Sequence, residues 1–186
     1  MSDISKKIEF KDVLRIGGVL CLICAAVALI LSFVNMITVE RIALNEENEK
    51  REAMVALFGS ESIEYTSLDV VPDTVDEIFS VTDKGASLGY CVSLTPSGFG
   101  GDIGMMVAIG GDGNVIGTRI VSHSETPGLG NRIEGEEFLS QFVGASSASQ
   151  DYDVISGSTV SSRAVIAGVN DAIEAFLGIF GGGVSN

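Results

Sequence analysis

The chain is poor in the side chains from which many functional sites are built. Its 186 residues include three cysteines, one histidine, no tryptophan and 11 basic residues against 25 acidic ones. Cys91 stands alone in a strand-like run, so no structural disulfide is expected. Cys21 and Cys24 have C-x-x-C spacing, but they lie in an apolar run where thiolates are costly, and no further ligand accompanies them. Packing is their expected role, and no metal site is predicted. The shortage of cations, with a formal net charge of −14, argues against nucleic acid as a partner. There is no internal repeat. The lone His123 reads on its own as a turn residue with a hydrogen-bonded ring.

What is present begins with an uncharged stretch from Ile16 to Val39, rich in Leu, Ile, Val and Ala. About 20 such residues cross a bilayer as a helix. A cleaved signal peptide is the rival reading, since Ala26-Val27-Ala28 imitates a cleavage site, yet that site falls inside the apolar run and favours an uncleaved anchor. Asn35 is the strongly polar side chain of the span, a type that pairs with a neighbouring helix or reaches the interface. Lys6, Lys7, Lys11 and Arg15 precede the span, while Glu40, Glu46, Glu47, Glu49 and Glu52 follow it with Arg41, Lys50 and Arg51 interspersed. This bias places the N-terminus inside. The predicted organisation is a cytoplasmic N-terminus over 1–15, a transmembrane helix over 16–39, a helical stalk over 40–59 and an extracytoplasmic domain over 60–186. After the span the chain holds 22 acidic and 7 basic side chains, a balance of −15, which suits an exported, soluble surface.

Beyond Gly59, short β-rich runs alternate with glycines: Ile63 to Leu68, Ile78 to Val81, Leu88 to Leu94, Ile103 to Ile109 and Val115 to Val121, the last two joined by a hairpin at Gly110–Asn114. A helix over Glu136 to Val143, a Ser-rich turn, a strand carrying Asp153 and a final helix closed by Gly181-Gly182-Gly183 follow. The fold class is α+β, a mainly antiparallel sheet with flanking helices.

The final helix begins after Asp153-Val154-Ile155-Ser156-Gly157-Ser158-Thr159, and its apolar positions Val165, Ile166, Val169, Ile173, Phe176, Leu177 and Phe180 recur at helical spacing. Hydroxyls at a helix start sit where free backbone N–H groups and the positive dipole end converge, a natural seat for phosphate. The same residues also read as ordinary N-caps.

This string resembles the flavinylation motif of the FMN-binding domain found in the G subunit of the Rnf complex and in the C subunit of sodium-pumping NADH:quinone reductase. There the pattern is Asp, two residues, Ser or Thr, Gly, Ala, Thr. The acceptor Thr maps onto Thr159, with Ser158 in place of the usual Ala. His123-Ser124-Glu125-Thr126-Pro127-Gly128-Leu129-Gly130 is similar to the family's H-x-E-T-P-G-L-G loop, and Pro96-Ser97-Gly98-Phe99-Gly100-Gly101-Asp102-Ile103 to its glycine-rich turn. The resemblance implies FMN joined to Thr159 by a phosphoester and attached by a flavin transferase. It implies cofactor contacts from His123, Glu125, Thr126, Gly128, Leu129, Ser156, Gly157, Ser158, Gly98 and Gly100.

Glu125 and Thr126 are expected to face the flavin and not to hold the fold, because Pro127 and the glycines already define that turn. Gly157 is expected to permit close backbone approach. The function implied is an electron relay in a membrane-bound, ion-translocating ferredoxin:NAD oxidoreductase, alongside its other membrane and redox subunits and without a catalytic site of its own. The C subunit of the quinone reductase and an independent membrane-anchored flavoprotein of extracellular electron transfer are the alternatives.

Overall fold

The computed structural model describes residues 10–69, 71–148 and 150–181. Lys6, Lys7, Gly182 and Gly183 lie outside them, as do residues 1–9 of the predicted cytoplasmic segment. The chain divides into two compact units, Met1–Glu47 and Asn48–Asn186.

The described residues of the first unit are helical. Helix α1 (Phe10–Phe58) carries an apolar stretch, Val13–Val39, of 27 residues with no side chain buried. At 1.5 Å per residue this is about 40 Å, longer than the roughly 30 Å hydrocarbon core of a bilayer. A helix buried in a soluble core would show the opposite exposure, so length and composition agree with a membrane span. Thr38 donates its hydroxyl back to the Val34 carbonyl at 2.8 Å, which satisfies that group within the helix.

The second unit begins inside the segment read as a stalk. Residues 48–58 of α1 precede five strands, β1 (Ile63–Ser67), β2 (Glu77–Asp83), β3 (Ala86–Leu94), β4 (Ile103–Ile109) and β5 (Val115–His123). They pair in sequence order as one antiparallel meander. Alternation along each strand sends side chains to two faces. On one face Phe79, Val81, Cys91 and Met106 meet Ala53 and Met54 of α1, and Lys50 pairs with Glu77. On the other, Val92, Met105, Val107 and Ile109 meet Val165, Val169, Ile173 and Phe176 of helix α3 (Thr159–Phe180). The apolar run of β4 follows from this position, since it is covered on both sides.

Two expectations require correction. The predicted helix over Glu136 to Val143 is a single α-turn, α2 (Glu136–Leu139), continued by a 3₁₀ turn at Ser140–Phe142. The predicted Asp153 strand is not a strand. Residues 144 and 145 pair with the start of β5, where Val115 N–H donates to the Ala145 carbonyl and Gly144 N–H to that of Val115, both at 2.8 Å. Asp153 is held instead by Gln141, which accepts its N–H at 2.8 Å and donates to its carbonyl at 3.3 Å. The apolar side chains that imitate a strand, Tyr152 and Ile155, pack on the α3 side of the core.

Cys91 is fully buried, and burial pushes its thiol up to about 12. In a variant with Cys21 and Cys24 replaced by Ser, a thiol-specific reagent should therefore label Cys91 only after denaturation. Labelling of the native protein at the rate of a free thiol would contradict this packing.

Candidate functional site

Three segments converge at the N-terminus of α3: the glycine turn between β3 and β4, the loop after β5 and the turn that enters α3. The first two are tied together by Glu125. Its side chain is 5% exposed, and its Oε1 accepts the N–H groups of Phe99 at 2.8 Å and Gly100 at 3.1 Å. The glycines around it are required by closeness. A Cβ on Gly98 would lie 2.3 Å from Glu125 Oε1, and one on Gly130 would lie 2.4 Å from Oε2. Glu125 is thus a loop clamp, which overturns the expectation that it has no part in holding the fold.

His123 reinforces the same loop. Its Nδ1 accepts the Glu125 N–H at 3.0 Å, and Nε2 meets the Glu134 carboxylate, so both ring nitrogens are engaged. Gly128 occupies a left-handed turn and donates its N–H to Asn131 Oδ1 at 2.8 Å.

The turn entering α3 depends on Gly157, whose φ of +84° lies in the left-handed region that other residues avoid. Turn conformation accounts for this glycine in addition to closeness: a Cβ there would stand 3.3 Å from Leu129 Cδ1. The adjacent hydroxyls then diverge in role. Ser158 is buried and donates to the Leu129 carbonyl, joining this turn to the loop after β5. Ser162 donates to the Ser158 carbonyl at 2.8 Å and accepts the Ile155 N–H at 3.1 Å. Thr159 is exposed, with no hydrogen bond from its hydroxyl among the described residues.

Ser158 is the N-cap by position but makes no side-chain cap bond, so the ordinary capping reading does not hold here. The N–H groups of Thr159, Val160 and Ser161 have no acceptor among the described residues. The first turn of α3 contains no acidic side chain. Uncapped donors and a positive dipole end favour an anion.

Beside this helix start lies a cleft of about 290 Å³ lined by Glu125, Thr126, Leu129, Gly157, Ser158 and Thr159, together with Phe99, Gly130, Val160 and Ser161. Phe99, Leu129 and Val160 are 76, 50 and 53% exposed, an apolar rim open to solvent. Of the sequence-predicted residues, His123, Gly98, Gly100, Gly128 and Ser156 do not line it. Gly98 and Gly100 stand behind Glu125 and Ser124, and Ser156 borders a neighbouring groove, its carbonyl accepting from Arg132 Nη1 at 3.3 Å.

Phe99, Gly130, Val160 and Ser161 were missed. An aromatic in a glycine turn and a valine off the helix's core stripe were signals available in the sequence for two of them. Ser161 gave none.

The arrangement fits a planar, largely apolar ring with an attached phosphate: rim for the ring, uncapped helix for the anion. Glu125→Ala should destabilise the sheet-bearing unit by about 1–3 kcal/mol, because it leaves two backbone donors without their acceptor. Chemical denaturation would measure this, and an unchanged midpoint would refute the clamp.

Comparisons with known proteins agree with the geometry. Residues 98–174 match the sequence model of the FMN-binding domain. The chain is 27% identical over 196 residues to the G subunit of the Na⁺-translocating ferredoxin:NAD⁺ oxidoreductase complex of Acetobacterium woodii, covering 91% of this chain and 94% of that one. It is 36% identical over 106 residues to the proton-translocating counterpart of Clostridium ljungdahlii, covering 52% of this chain and 57% of that one. Among solved structures, the C subunit of the Na⁺-translocating NADH-quinone reductase from Parabacteroides distasonis superposes with a TM-score of 0.56 at 22% identity, covering 72% of this chain and 92% of that one, a likeness of fold. Residues 98–174 thus resemble the FMN-binding domain, and the G subunits of ion-translocating oxidoreductase complexes are among the proteins to which the chain is similar.

Proposed function

We propose that this protein is the FMN-carrying electron-relay subunit of an ion-translocating ferredoxin:NAD oxidoreductase complex, with the cofactor joined to Thr159 by a phosphoester. The observation that carries the reading is the contrast between adjacent hydroxyls. Ser158 is buried and committed to Leu129, whereas Thr159 is exposed and unbonded at an uncapped helix start. A transferase can approach Thr159 without breaking a contact.

Loading uses FAD as donor. The Thr159 Oγ–P bond forms, the pyrophosphate bond of FAD breaks, AMP leaves, and the hydroxyl proton is released. The FMN so held supplies one- and two-electron redox chemistry. The chain's own residues supply position. The N–H groups at residues 159–161 meet the phosphate, and Phe99, Leu129 and Val160 cover the ring. The Glu125 clamp keeps the two loops at a fixed separation. A covalent tie suits an extracytoplasmic domain, from which a dissociated cofactor would be lost.

The partners in this reading are the other membrane and redox subunits of the complex and the flavin transferase. The span anchors the chain in the cytoplasmic membrane with its N-terminus inside and residues 60–186 outside. The relatives named above use Na⁺ in one case and protons in the other.

Co-expressed with its transferase, the chain should gain the mass of one FMN less one water and give a fluorescent band after denaturing electrophoresis. Thr159→Ala should abolish both. Ser158→Ala should keep both, while losing the hydroxyl's tie to Leu129. Flavin retained in Thr159→Ala and lost in Ser158→Ala would move the attachment to Ser158, and a native chain without covalent flavin would sink the reading.

For orientation, Ser146→Cys at an exposed position should react with an impermeant maleimide in spheroplasts. Labelling only after lysis would reverse the topology.

A further inference from the structure

We propose that the free edge of β5 receives an extended segment of a partner protein as a sixth strand. The inference rests on the complex-subunit part of the reading above and not on the cofactor. β5 ends the meander, so one of its edges has no neighbouring strand. Beside it lies a cleft of about 620 Å³ that shares no lining residue with the one at the start of α3. Gly117, Thr118, Arg119 and Ile120 line it, between the end of α1 and residues 134–143. Thr118 and Ile120 pair with Val107 and Met105, on the face that α3 covers. Arg119 pairs with Met106 on the opposite face, where a Cβ on Gly117 would lie 3.0 Å from Leu57 Cδ2. Four successive residues whose side chains alternate between two faces can border one space only along the edge of their strand.

That edge is prepared for a ladder. Register shifts interrupt the pairing of β5 on either side of the stretch, between Gly104 and Met105 and between Ala108 and Ile109 of β4, and leave 117–120 regular. At its start the edge already accepts a pairing, through the two bonds between Val115 and residues 144–145. Further along, every second residue turns its N–H and carbonyl away from β4, and none of these groups at 117–120 has a partner among the described residues. Proteins usually blunt such an edge with proline, lysine or a covering element, whereas this one borders an open cleft. Thr118 adds a further unsatisfied group. It is 7% exposed and its hydroxyl is buried without a partner, which a polar side chain opposite it on an added strand would supply.

The walls define the occupant. Leu57 on the α1 side and Leu139 on the α3 side offer apolar contacts, joined by Val143, which is 57% exposed. Glu136 forms no ion pair among the described residues, and Glu134, also in the lining, is bonded to His123. The matching segment therefore alternates apolar side chains and carries a lysine or arginine at its Glu134–Glu136 end. The balance of −15 after the span favours a cationic partner over a second copy of this chain. Main-chain bonds give an added strand its affinity, and its alternate side chains select it.

The test uses the full chain in detergent, purified alone after expression by itself and purified from its own membranes with whatever it binds there. Hydrogen exchange should show the 117–120 amides that face away from β4 exchanging fast in the isolated chain and losing that fast exchange in the assembly. Benzoylphenylalanine in place of Arg119 or Val143 should, on illumination, mark adjacent residues of one segment in another subunit. Val143→Glu and Glu136→Lys should keep the Tm of the isolated chain while losing the protection of 117–120. Unchanged exchange in an intact assembly overturns this inference alone. So do marks three or four residues apart, which a helix would give, marks on lipid or on a second copy of this chain, and full protection in both variants. A chain that leaves its membranes with no partner refutes the complex reading and this inference together.

Discussion

The site depends on one buried carboxylate. Placing Glu125 at 5% exposure is unfavourable unless its oxygens are bonded, and the donors come from backbone N–H groups of a loop 25 residues away. That requirement determines the surroundings. Gly98 and Gly130 admit the side chain because a Cβ at either would overlap it, and Gly100 lets its backbone pass Ser124. The clamp fixes the glycine turn against the loop after β5, and Ser158 then fixes that loop to α3 through the Leu129 carbonyl. Three segments distant in sequence thus acquire one geometry, and the cleft is the space between them.

Electrostatics make the helix start distinctive. Residues after the span carry a balance of −15, which would repel a phosphate approaching at random. At physiological salt, charges beyond roughly 8 Å are largely screened, so the immediate surroundings decide. There, three unbonded N–H groups and a first turn without acids create a local preference opposite to the domain's net charge. The Arg132 guanidinium, bonded to the Ser156 carbonyl, adds a cation to the turn entering the helix.

Much of this architecture was legible because it follows from short-range rules. Short β-rich runs between glycines identified five strands. The motif strings singled out Thr159, Glu125, Thr126 and Leu129, which the fold brings to the lining of one cleft. What was not legible was long-range competition for hydrogen bonds. The Asp153 segment has strand-like side chains, but the backbone N–H and carbonyl of Asp153 bond to the Gln141 side chain instead of to a neighbouring strand. Nor could local pattern reveal that Ser158 turns away from its own helix. A cap and a tie to a distant carbonyl use the same residue type at the same position, and only the approach of Leu129 selects between them.

In the sheet-bearing unit, large side chains such as Met105, Val107, Ile109 and Ile173 are fully enclosed. Around the cleft the pattern reverses, with Phe99, Leu129 and Val160 open to water beside uncapped donors. Each of these features alone is a modest cost that a surface tolerates. Their concentration in one cleft of about 290 Å³ is what selection for stability alone would remove, since a cap or a polar rim residue would improve the isolated fold. With the loops and the helix start already ordered by Glu125 and Ser158, a planar ligand entering the cleft would find its walls in place and would not have to order them on binding.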